Sequence, residues 1–144
     1  MILMDPSDLL SEIPPDAFNG QKLSETDLRH FISASLNEGK KPLIVFGANW
    51  CPDALFLSAV MELPSIKGFL DNHCSLYKID VGRYDLNMEL MPVVGIPSQQ
   101  GIPRLFVMDR EGVALNLSTN DRWRSARDMT PQTIFNDLQG LLVP

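Results

Sequence analysis

The stretch LIVFGANWCPDA, residues 43–54, determines how the chain is expected to fold. Its first half is a short, continuous apolar run with β-branched residues, which is typical of a strand buried on both faces. Pro52 then stands where the first position of a helix is expected, and a largely apolar run follows it. The pattern predicts a central strand over residues 42–48 that leads through Trp50 and Cys51 directly into a helix.

Regular elements are predicted on both sides of this unit. In chain order they are a helix between Ser24 and Gly39, one or two helical turns over 65–73, a strand over 74–81, a short helix over 84–91, a hairpin of strands 104–109 and 113–118, and a closing helix over 130–142. Residues 1–21 are acidic and interrupted by three prolines, so we expect an irregular arm packed on a domain of residues 22–144. The predicted fold class is α/β, with a mixed sheet flanked by helices and an N-terminal arm.

Length and composition exclude several classes of protein. A chain of 144 residues suits one domain, and its 44% apolar and 21% charged residues are typical of folded globular proteins. The net charge of -6, without any run of Lys and Arg, disfavours nucleic acid as a partner. Two cysteines are too few for a disulfide scaffold.

Neither membrane insertion nor export is indicated by the sequence. No apolar run approaches the roughly 20 residues that a membrane-spanning helix requires. The opening MILMDPSDLL lacks a basic region and is interrupted by Asp5 and Pro6, unlike a secretory signal. We therefore expect a cytoplasmic protein without membrane contacts, or a periplasmic one if a leader peptide has been removed.

Cys51 is the candidate nucleophile because it lies at the junction of the central strand and the following helix. A helix N-terminus presents unpaired amide groups and a partial positive charge, and both favour thiolate over thiol. The carboxylate of Asp53 acts in the opposite direction by placing a negative charge nearby. A buried, unreactive thiol is the alternative interpretation of any single cysteine. The junction, the preceding Trp50 and a distant Gly-Ile-Pro favour a functional cysteine that is open to solvent.

Together these features resemble the thioredoxin superfamily. The matching stretches are LIVFGANWCPDA at 43–54, LYKIDVGRYDLNMEL at 76–90 and GIPRLFVMDREGVAL at 101–115. The resemblance covers about residues 22–142. It implies that Pro103 is the cis-proline beside the nucleophilic cysteine, and that the backbone of Ile102 pairs with an extended substrate segment. Gly-Ile-Pro also occurs at 95–97, but only the second copy is followed directly by a strand.

The sequence departs from the superfamily's pattern at the active site. Thioredoxins use a C-x-x-C pair, in which the second thiol resolves the mixed disulfide formed by the first, whereas Ala54 occupies the second position here. Cys74 is expected at the opposite end of its strand, about 20 Å from Cys51, as a small core residue. The superfamily's buried acid and its lysine partner fall at Val45 and Leu76. An engineered Cys→Ala replacement is an alternative origin for Ala54, although such a variant would be expected to keep the buried acid.

The other residues with reactive or charged side chains give weaker indications of function. His30 and His73 lack neighbours at metal-ligand spacing, so no metal site is predicted. A local basic cluster consists of Arg122, Trp123, Arg124 and Arg127. This cluster suits an anion such as the carboxylates of glutathione, and the alternative interpretation is a solvated loop before the last helix.

The resemblance and the single thiol together imply thiol–disulfide exchange or deglutathionylation through Cys51. The residues assigned to substrate binding are Trp50, Pro52, Asp53, Ala54, Ile102 and Pro103. Protein thiols or disulfides are the expected partners, no bound cofactor is expected, and glutathione is a candidate co-substrate. The alternative is a redox-inactive binding or chaperone-like module that uses the groove beside Pro103, so whether the chain is an enzyme stays open. A peroxidase is a weaker third interpretation, because no Thr or Arg stands at a spacing that would assist peroxide cleavage.

Overall fold

A three-stranded mixed sheet lies at the centre of the computed structural model, which describes residues 1–143. Its strands are β1 (Lys41–Gly47), β2 (Cys74–Asp80) and β3 (Arg104–Val107), in the order β2-β1-β3. β1 runs parallel to β2 and antiparallel to β3. Within the described range the sheet is accompanied by the α-helices α1 (Glu25–Asn37), α2 (Pro52–Met61), α3 (Pro64–His73) and α4 (Pro131–Leu142). The predicted α/β class with a mixed sheet flanked by helices is confirmed.

β1 is the central strand, because both of its edges are paired. From Pro42 onward every residue of β1 is buried, as its continuous apolar run predicts. Val45 stands at the middle of the strand, opposite Lys78 of β2 and Leu105 of β3. The chain after Gly47 therefore leaves the sheet at the carboxyl ends of the parallel strands, where ligands commonly bind in α/β proteins.

Local sequence signals set the helix boundaries. The Ser24 hydroxyl accepts a hydrogen bond from the Asp27 amide at the start of α1, and the Asp27 carboxylate accepts one from the Ser24 amide. Thr130 caps α4 by accepting from the Thr133 amide. α2 begins at Pro52, whose missing N–H costs nothing at a first helical position. The helices predicted at these three places are confirmed.

The predicted hairpin at β3 keeps its turn but not its second strand. In the described chain, the partner segment is reduced to one isolated bridge between Met108 and Ala114. Asn116 takes the place of the missing strand: its side-chain oxygen accepts from the Val107 amide, and its side-chain nitrogen donates to the Leu105 carbonyl. Because a buried carboxamide satisfies these backbone groups, β3 does not need an extended partner on this side.

The short helix predicted over 84–91 is wrong in type and position. A 3-10 helix spans Met88–Val94 instead, and two residues before it have positive φ, Tyr84 at 66° and Asn87 at 58°. Left-handed backbone cannot continue an α-helix. Asn87 is buried, and its side chain bonds three backbone groups, two of them in the segment before α1. These long-range bonds override the local helical pattern.

Residues 1–21, the predicted arm, form neither helix nor strand, and the beginning of the arm is attached to two helices. The side chain of Gln139 in α4 accepts from the Ile2 amide and donates to the Ile2 carbonyl. At the start of α3, the Ser65 hydroxyl accepts from the Asp5 amide at 3.0 Å. The arm therefore lies along the helical side of the domain before it reaches the sheet.

The end of the arm is attached where β1 and β2 end. The carboxamide of Asn49 bonds both the amide and the carbonyl of Phe18, each at 2.8 Å. The Asp80 carboxylate accepts from the Gly20 amide at 2.8 Å. Phe18 is buried, and its ring fills the space that a side chain on Gly47 would need. The arm thus packs against the same edge of the sheet from which the chain runs to Cys51.

Candidate functional site

Cys51 lies where β1 passes into α2. Its backbone is extended (φ -95°, ψ 110°), and it is the N-cap residue of α2. Its amide donates to the Ala48 carbonyl and its carbonyl accepts from the Leu55 amide, each at 3.1 Å. These bonds fix the residue on both sides. The thiol therefore stands at the helix N-terminus, where free amide groups and the helix dipole favour negative charge.

Residues 101–103, which we call the proline loop, are in contact with this cysteine. The Ile102–Pro103 peptide bond is cis. The Cys51 sulfur lies 3.7 Å from the carbonyl oxygen of Ile102, a distance that suits a weak S–H···O hydrogen bond. Among residues 1–143 the Ile102 amide has no hydrogen-bond acceptor. One backbone group of Ile102 thus faces the sulfur, and the other is free.

The sulfur is less accessible than the sequence indicates. Cys51 is only 6% exposed, so the expectation of a thiol open to solvent is wrong, because the Ile102 loop packs against it. The residue nevertheless lines a surface depression of about 320 Å³, which we call the cysteine cleft. The other residues around the cysteine cleft are Trp50, Tyr84, Gly101, Ile102, Asp121, Arg124 and Ser125. The cysteine is therefore nearly buried at the base of a depression that opens to the surface.

Two aromatic side chains form one wall of the cysteine cleft. Trp50 is 40% exposed, and its indole N–H donates to the Gly82 carbonyl at 2.6 Å. Its ring meets the Tyr84 ring edge to face, with centroids 5.5 Å apart. The Tyr84 hydroxyl accepts from the Gly101 amide at 3.1 Å, so this wall is joined to the proline loop. Sequence reasoning assigned Tyr84 only to the start of the short helix predicted over 84–91, and its one local signal is an aromatic residue two positions after Gly82.

Asp53 bonds a distant arginine instead of facing the cleft. One carboxylate oxygen accepts from the amide and from the guanidinium of Arg127, each at 3.0 Å. Pro52 is exposed, whereas Ala54 is 1% exposed and packs in the core. Of the predicted substrate-binding residues, the structure brings Trp50 and Ile102 to the lining of the cleft, and it places outside that lining Pro52, Asp53, Ala54 and Pro103.

The four residues of the basic cluster have different contacts and different degrees of burial. Arg122 pairs with Asp137 of α4 at 2.7 Å, as Arg127 pairs with Asp53. Trp123 is 1% exposed and belongs to the core. Arg124 alone of the cluster lines the cysteine cleft. The sequence identified the cluster but not which of its members lines the cleft.

Arg104, directly after the cis-proline, is a buried cation that sequence reasoning missed. It is 4% exposed, and its guanidinium donates to four neutral acceptors, which are the backbone carbonyls of Gln100 and Gly101 and the side chains of Gln99 and Asn120. Burial lowers the pKa of Arg104, and the nearby Arg124 lowers it further. The guanidinium holds the loop over 99–101 that forms one side of the cleft. Its only sequence signal is a charge inside an apolar strand.

Cys74 lies in the core, as the sequence predicts. It is 4% exposed and begins β2, opposite Lys41 of β1. Burial raises the pKa of its thiol to about 12. Both cysteines are free thiols. Cys74 therefore has the properties of a packing residue and not of a partner for Cys51.

The positions of the superfamily's buried acid and lysine carry apolar residues. Val45 is 3% exposed and Leu76 is half-buried. Lys78, opposite Val45, donates instead to the Ser58 hydroxyl of α2, and its ammonium lies 5.9 Å from the centre of the Phe18 ring. Burial lowers the pKa of Lys78. The polar contact between β2 and α2 is therefore a lysine–serine pair.

Metal-binding clusters and membrane-spanning helices are both absent from residues 1–143. No three His, Cys, Asp or Glu side chains in this range come close enough together to hold a metal ion. The ring of His73 packs on Phe69, with centroids 4.4 Å apart. No helix in the same range is both long and apolar enough to cross a bilayer.

Comparison with known proteins identifies a similar crystal structure, that of disulphide isomerase from Xylella fastidiosa Temecula1. The two chains are 29% identical and have a TM-score of 0.77, over 85% of this chain and 94% of that one. A protein of unknown function from Pseudomonas aeruginosa has 19% identity and a TM-score of 0.43, over 85% of this chain and 86% of that one. No protein-family model and no curated protein sequence matches the chain. The fold is thioredoxin-like, and its similarity to a disulphide isomerase supports a thioredoxin-like redox function.

Proposed function

We propose that this protein exchanges thiols and disulfides through Cys51 alone. The observation that carries the proposal is the position of the sulfur, at the N-cap of α2, in the cysteine cleft, and 3.7 Å from the carbonyl oxygen of Ile102. The similarity to a disulphide isomerase supports this class of chemistry. Ala54 stands where a second thiol would resolve the reaction, so the cycle uses an external thiol.

The proposed cycle has two exchange steps. In the first, the Cys51 thiolate attacks one sulfur of a substrate disulfide, an S–S bond forms to Cys51, and the second substrate sulfur leaves as a thiolate. In the second, an external thiolate attacks the substrate sulfur of this mixed disulfide, forms a new disulfide with it and releases Cys51 as a thiolate. Each step exchanges one S–S bond for another, so the protein returns to its starting redox state.

Ile102 offers a means of orienting an extended substrate. Its amide is free among the described residues, and its carbonyl faces the sulfur. A protein segment that pairs with Ile102 as an added strand would carry its disulfide into the cleft. We propose protein disulfides and glutathionylated protein thiols as substrates, with glutathione as the releasing thiol. Such a cycle suits the reducing cytoplasm, where glutathione keeps thiols reduced.

Mass spectrometry of the intact protein tests the first step. The wild type and the variants Cys51→Ser and Cys74→Ser are incubated with oxidised glutathione. We expect a single glutathione adduct on the wild type and on Cys74→Ser, and no adduct on Cys51→Ser. Absence of an adduct on Cys51, or an equal adduct on Cys74, would reject the proposal.

The second step is measured as turnover of a glutathionylated peptide in the presence of reduced glutathione. We expect the wild type to release the peptide thiol faster than the uncatalysed exchange does. Cys51→Ser should return the rate to the uncatalysed level, and Cys74→Ser should match the wild type. A wild-type rate equal to the uncatalysed rate would show that Cys51 accepts a disulfide without completing a cycle.

The second candidate function is a redox-inactive module that binds extended protein segments beside Pro103. The 6% exposure of Cys51 and the missing second thiol favour it. The two functions differ in how they depend on the sulfur, since Cys51→Ser leaves binding intact in a module and abolishes turnover in an exchange enzyme. Calorimetric measurement of peptide binding to Cys51→Ser, beside the turnover assay, distinguishes them.

A further inference from the structure

Arg124 is a cation that forms no ion pair with another described residue. Across the part of the chain that the structure describes, the ion pairs engage Arg29, Lys67, Arg122 and Arg127, and Arg124 takes part in none of them. Its side chain lies instead at the cysteine cleft, whose lining it shares with Cys51. An arginine without a partner beside a nucleophilic thiol is available to a ligand.

Gly101 allows Arg124 to approach the loop that carries Ile102. A side-chain carbon built on Gly101 would stand 2.5 Å from the Arg124 Cζ atom, so the guanidinium packs directly on the glycine. Gly101 also has a φ of +100°, which side chains of L-residues rarely allow. Both the backbone and the available space at this position therefore favour glycine, and the cation reaches the edge of the loop that contacts the sulfur.

The charges on this side of the cleft are positive in sum. Arg104 is buried under the loop, and all four acceptors that it bonds are neutral. Asp121 and Arg124 are the two charged residues of the lining, and Arg83, whose guanidinium lies 5.6 Å from the centre of the Trp50 ring, adds a further cation beside it. The whole chain, by contrast, has a net charge of -6. A positive region on a negative protein attracts anions to that region.

We propose that Arg124 makes the site selective for disulfides that carry a carboxylate close to the reacting sulfur. The carboxylate binds the guanidinium through paired, charge-assisted hydrogen bonds while the disulfide faces Cys51. This inference rests on the proposed exchange function and names its substrate class. Glutathione and an acidic protein segment both present this chemistry.

Three small disulfides of different charge test the selectivity: dithiodipropionate is anionic, bis(2-hydroxyethyl) disulfide is neutral and cystamine is cationic. The measured quantity is the second-order rate constant of mixed-disulfide formation on Cys51. We expect the ratio of anionic to neutral rate constants to fall about fivefold in Arg124→Gln, as the loss of one exposed charged contact implies. The matched control Arg122→Gln removes a cation that does not line the cleft and should keep the wild-type ratio.

Ionic strength gives a second readout. Salt screens contacts between exposed charges, so the wild-type ratio should decline toward that of Arg124→Gln as salt is added. Arg124→Lys keeps the charge without the planar fork and should retain part of the preference. A purely structural role for Arg124 would instead lower all three rate constants together, with no dependence of their ratio on salt.

The outcomes separate this inference from the proposed function. If Arg124→Gln keeps the wild-type ratio, the inference is overturned and the exchange function stands. If Cys51 reacts with none of the three disulfides, both are overturned. Glutathione disulfide is then compared with mixed disulfides of a neutral and an acidic peptide. A rate loss in Arg124→Gln with glutathione alone assigns the carboxylate to a small thiol, a loss with the acidic peptide assigns it to a protein segment, and no loss with either overturns the inference.

Discussion

The carboxylate of Asp53 accepts two hydrogen bonds from Arg127, one from its backbone amide and one from its guanidinium, each at 3.0 Å. Asp53 lies in the first turn of α2, two residues after Cys51, and Arg127 lies in the 3-10 segment Arg122–Asp128. The pair therefore joins the helix that carries the cysteine to the segment that carries Arg124. The guanidinium of Arg127 also neutralises the Asp53 carboxylate within this pair.

Replacing Asp53 by asparagine should speed the alkylation of Cys51. The substitution removes a negative charge near the sulfur and leaves the Arg127 cation without its partner, and both changes favour thiolate. We expect a rate with iodoacetamide at neutral pH that is about two- to fivefold higher, which corresponds to roughly 0.5–1 kcal/mol for charges near a protein surface. The control Asp137→Asn frees Arg122 instead and should leave the rate unchanged. A slower reaction of Asp53→Asn would contradict this account.

The two cysteines should differ sharply in reactivity in the folded protein. Because burial raises the pKa of the Cys74 thiol to about 12, only about one molecule in a thousand carries that thiolate at pH 9. Iodoacetamide at this pH should therefore label Cys51 first, and Cys74 only after unfolding. Peptide mapping by mass spectrometry measures the order. Equal labelling of both thiols in the folded state is the result that the structure does not allow.

The raised pKa of Cys74 should also make stability fall at alkaline pH. As pH rises above 9.0, the ordinary value for this thiol, the unfolded chain loses the proton before the folded chain does. The folded state then binds more protons, so the stability that Cys74 contributes is fully present below pH 9.0 and is lost as pH rises through about 12. Urea unfolding across this window should show a steeper loss for the wild type than for Cys74→Ala. Parallel curves would be inconsistent with this linkage.

Restoring a second thiol at Ala54 should change the reaction cycle. Residues three apart in a helical turn have Cα atoms about 5 Å apart, within the range that a disulfide bridges. We expect Ala54→Cys to form a disulfide with Cys51 under oxidising conditions, seen as protection of both thiols from alkylation until a reductant is added. Once reduced, this variant should reduce a protein disulfide without external glutathione. Ala59→Cys places its thiol two turns along α2, and it should do neither.

Removing the Asn87 side chain should destabilise the protein strongly. Asn87 is 2% exposed, and its carboxamide accepts from the Leu23 amide and donates to the carbonyls of Gln21 and Asp80, each at 2.9 Å. Asn87→Ala leaves these groups without partners, and we expect a loss of about 2–4 kcal/mol in the free energy of unfolding in urea. The exposed Asn72 of α3 serves as the matched control, and Asn72→Ala should change stability by less than about 0.5 kcal/mol.

Local signals predict the regular part of this fold well. β1 follows from its apolar run, and α1 and α4 follow from caps that act within four residues. The two errors share one cause. Asn116 replaces a strand at β3, and Asn87 holds a left-handed turn where a helix was expected. In both cases a side-chain amide satisfies backbone groups that are distant in the sequence, and no periodicity records such a partner.

The candidate site is predictable only where its residues are adjacent in the sequence or belong to a recognised sequence motif. Cys51 and Ile102 belong to such motifs. The burial of the sulfur and the Tyr84 wall depend on how three separate segments meet. Arg124 is identified as the unpaired arginine of the basic cluster by elimination. Arg122 and Arg127 pair with carboxylates that are 15 and 74 residues away in the sequence. Only the packed chain shows that Arg124 is left over.

The attachment of the arm to Asp80 is linked by hydrogen bonds to Trp50, the residue before the cysteine. The Asp80 carboxylate accepts from the Gly20 amide and from the Gly82 amide, and the Gly82 carbonyl accepts from Trp50. The irregular arm therefore belongs to the hydrogen-bonded structure that holds Trp50 in place. A shortened protein that kept every helix and strand would still lose this support. A domain boundary placed at the first helix would therefore separate the cysteine site from a segment that supports it.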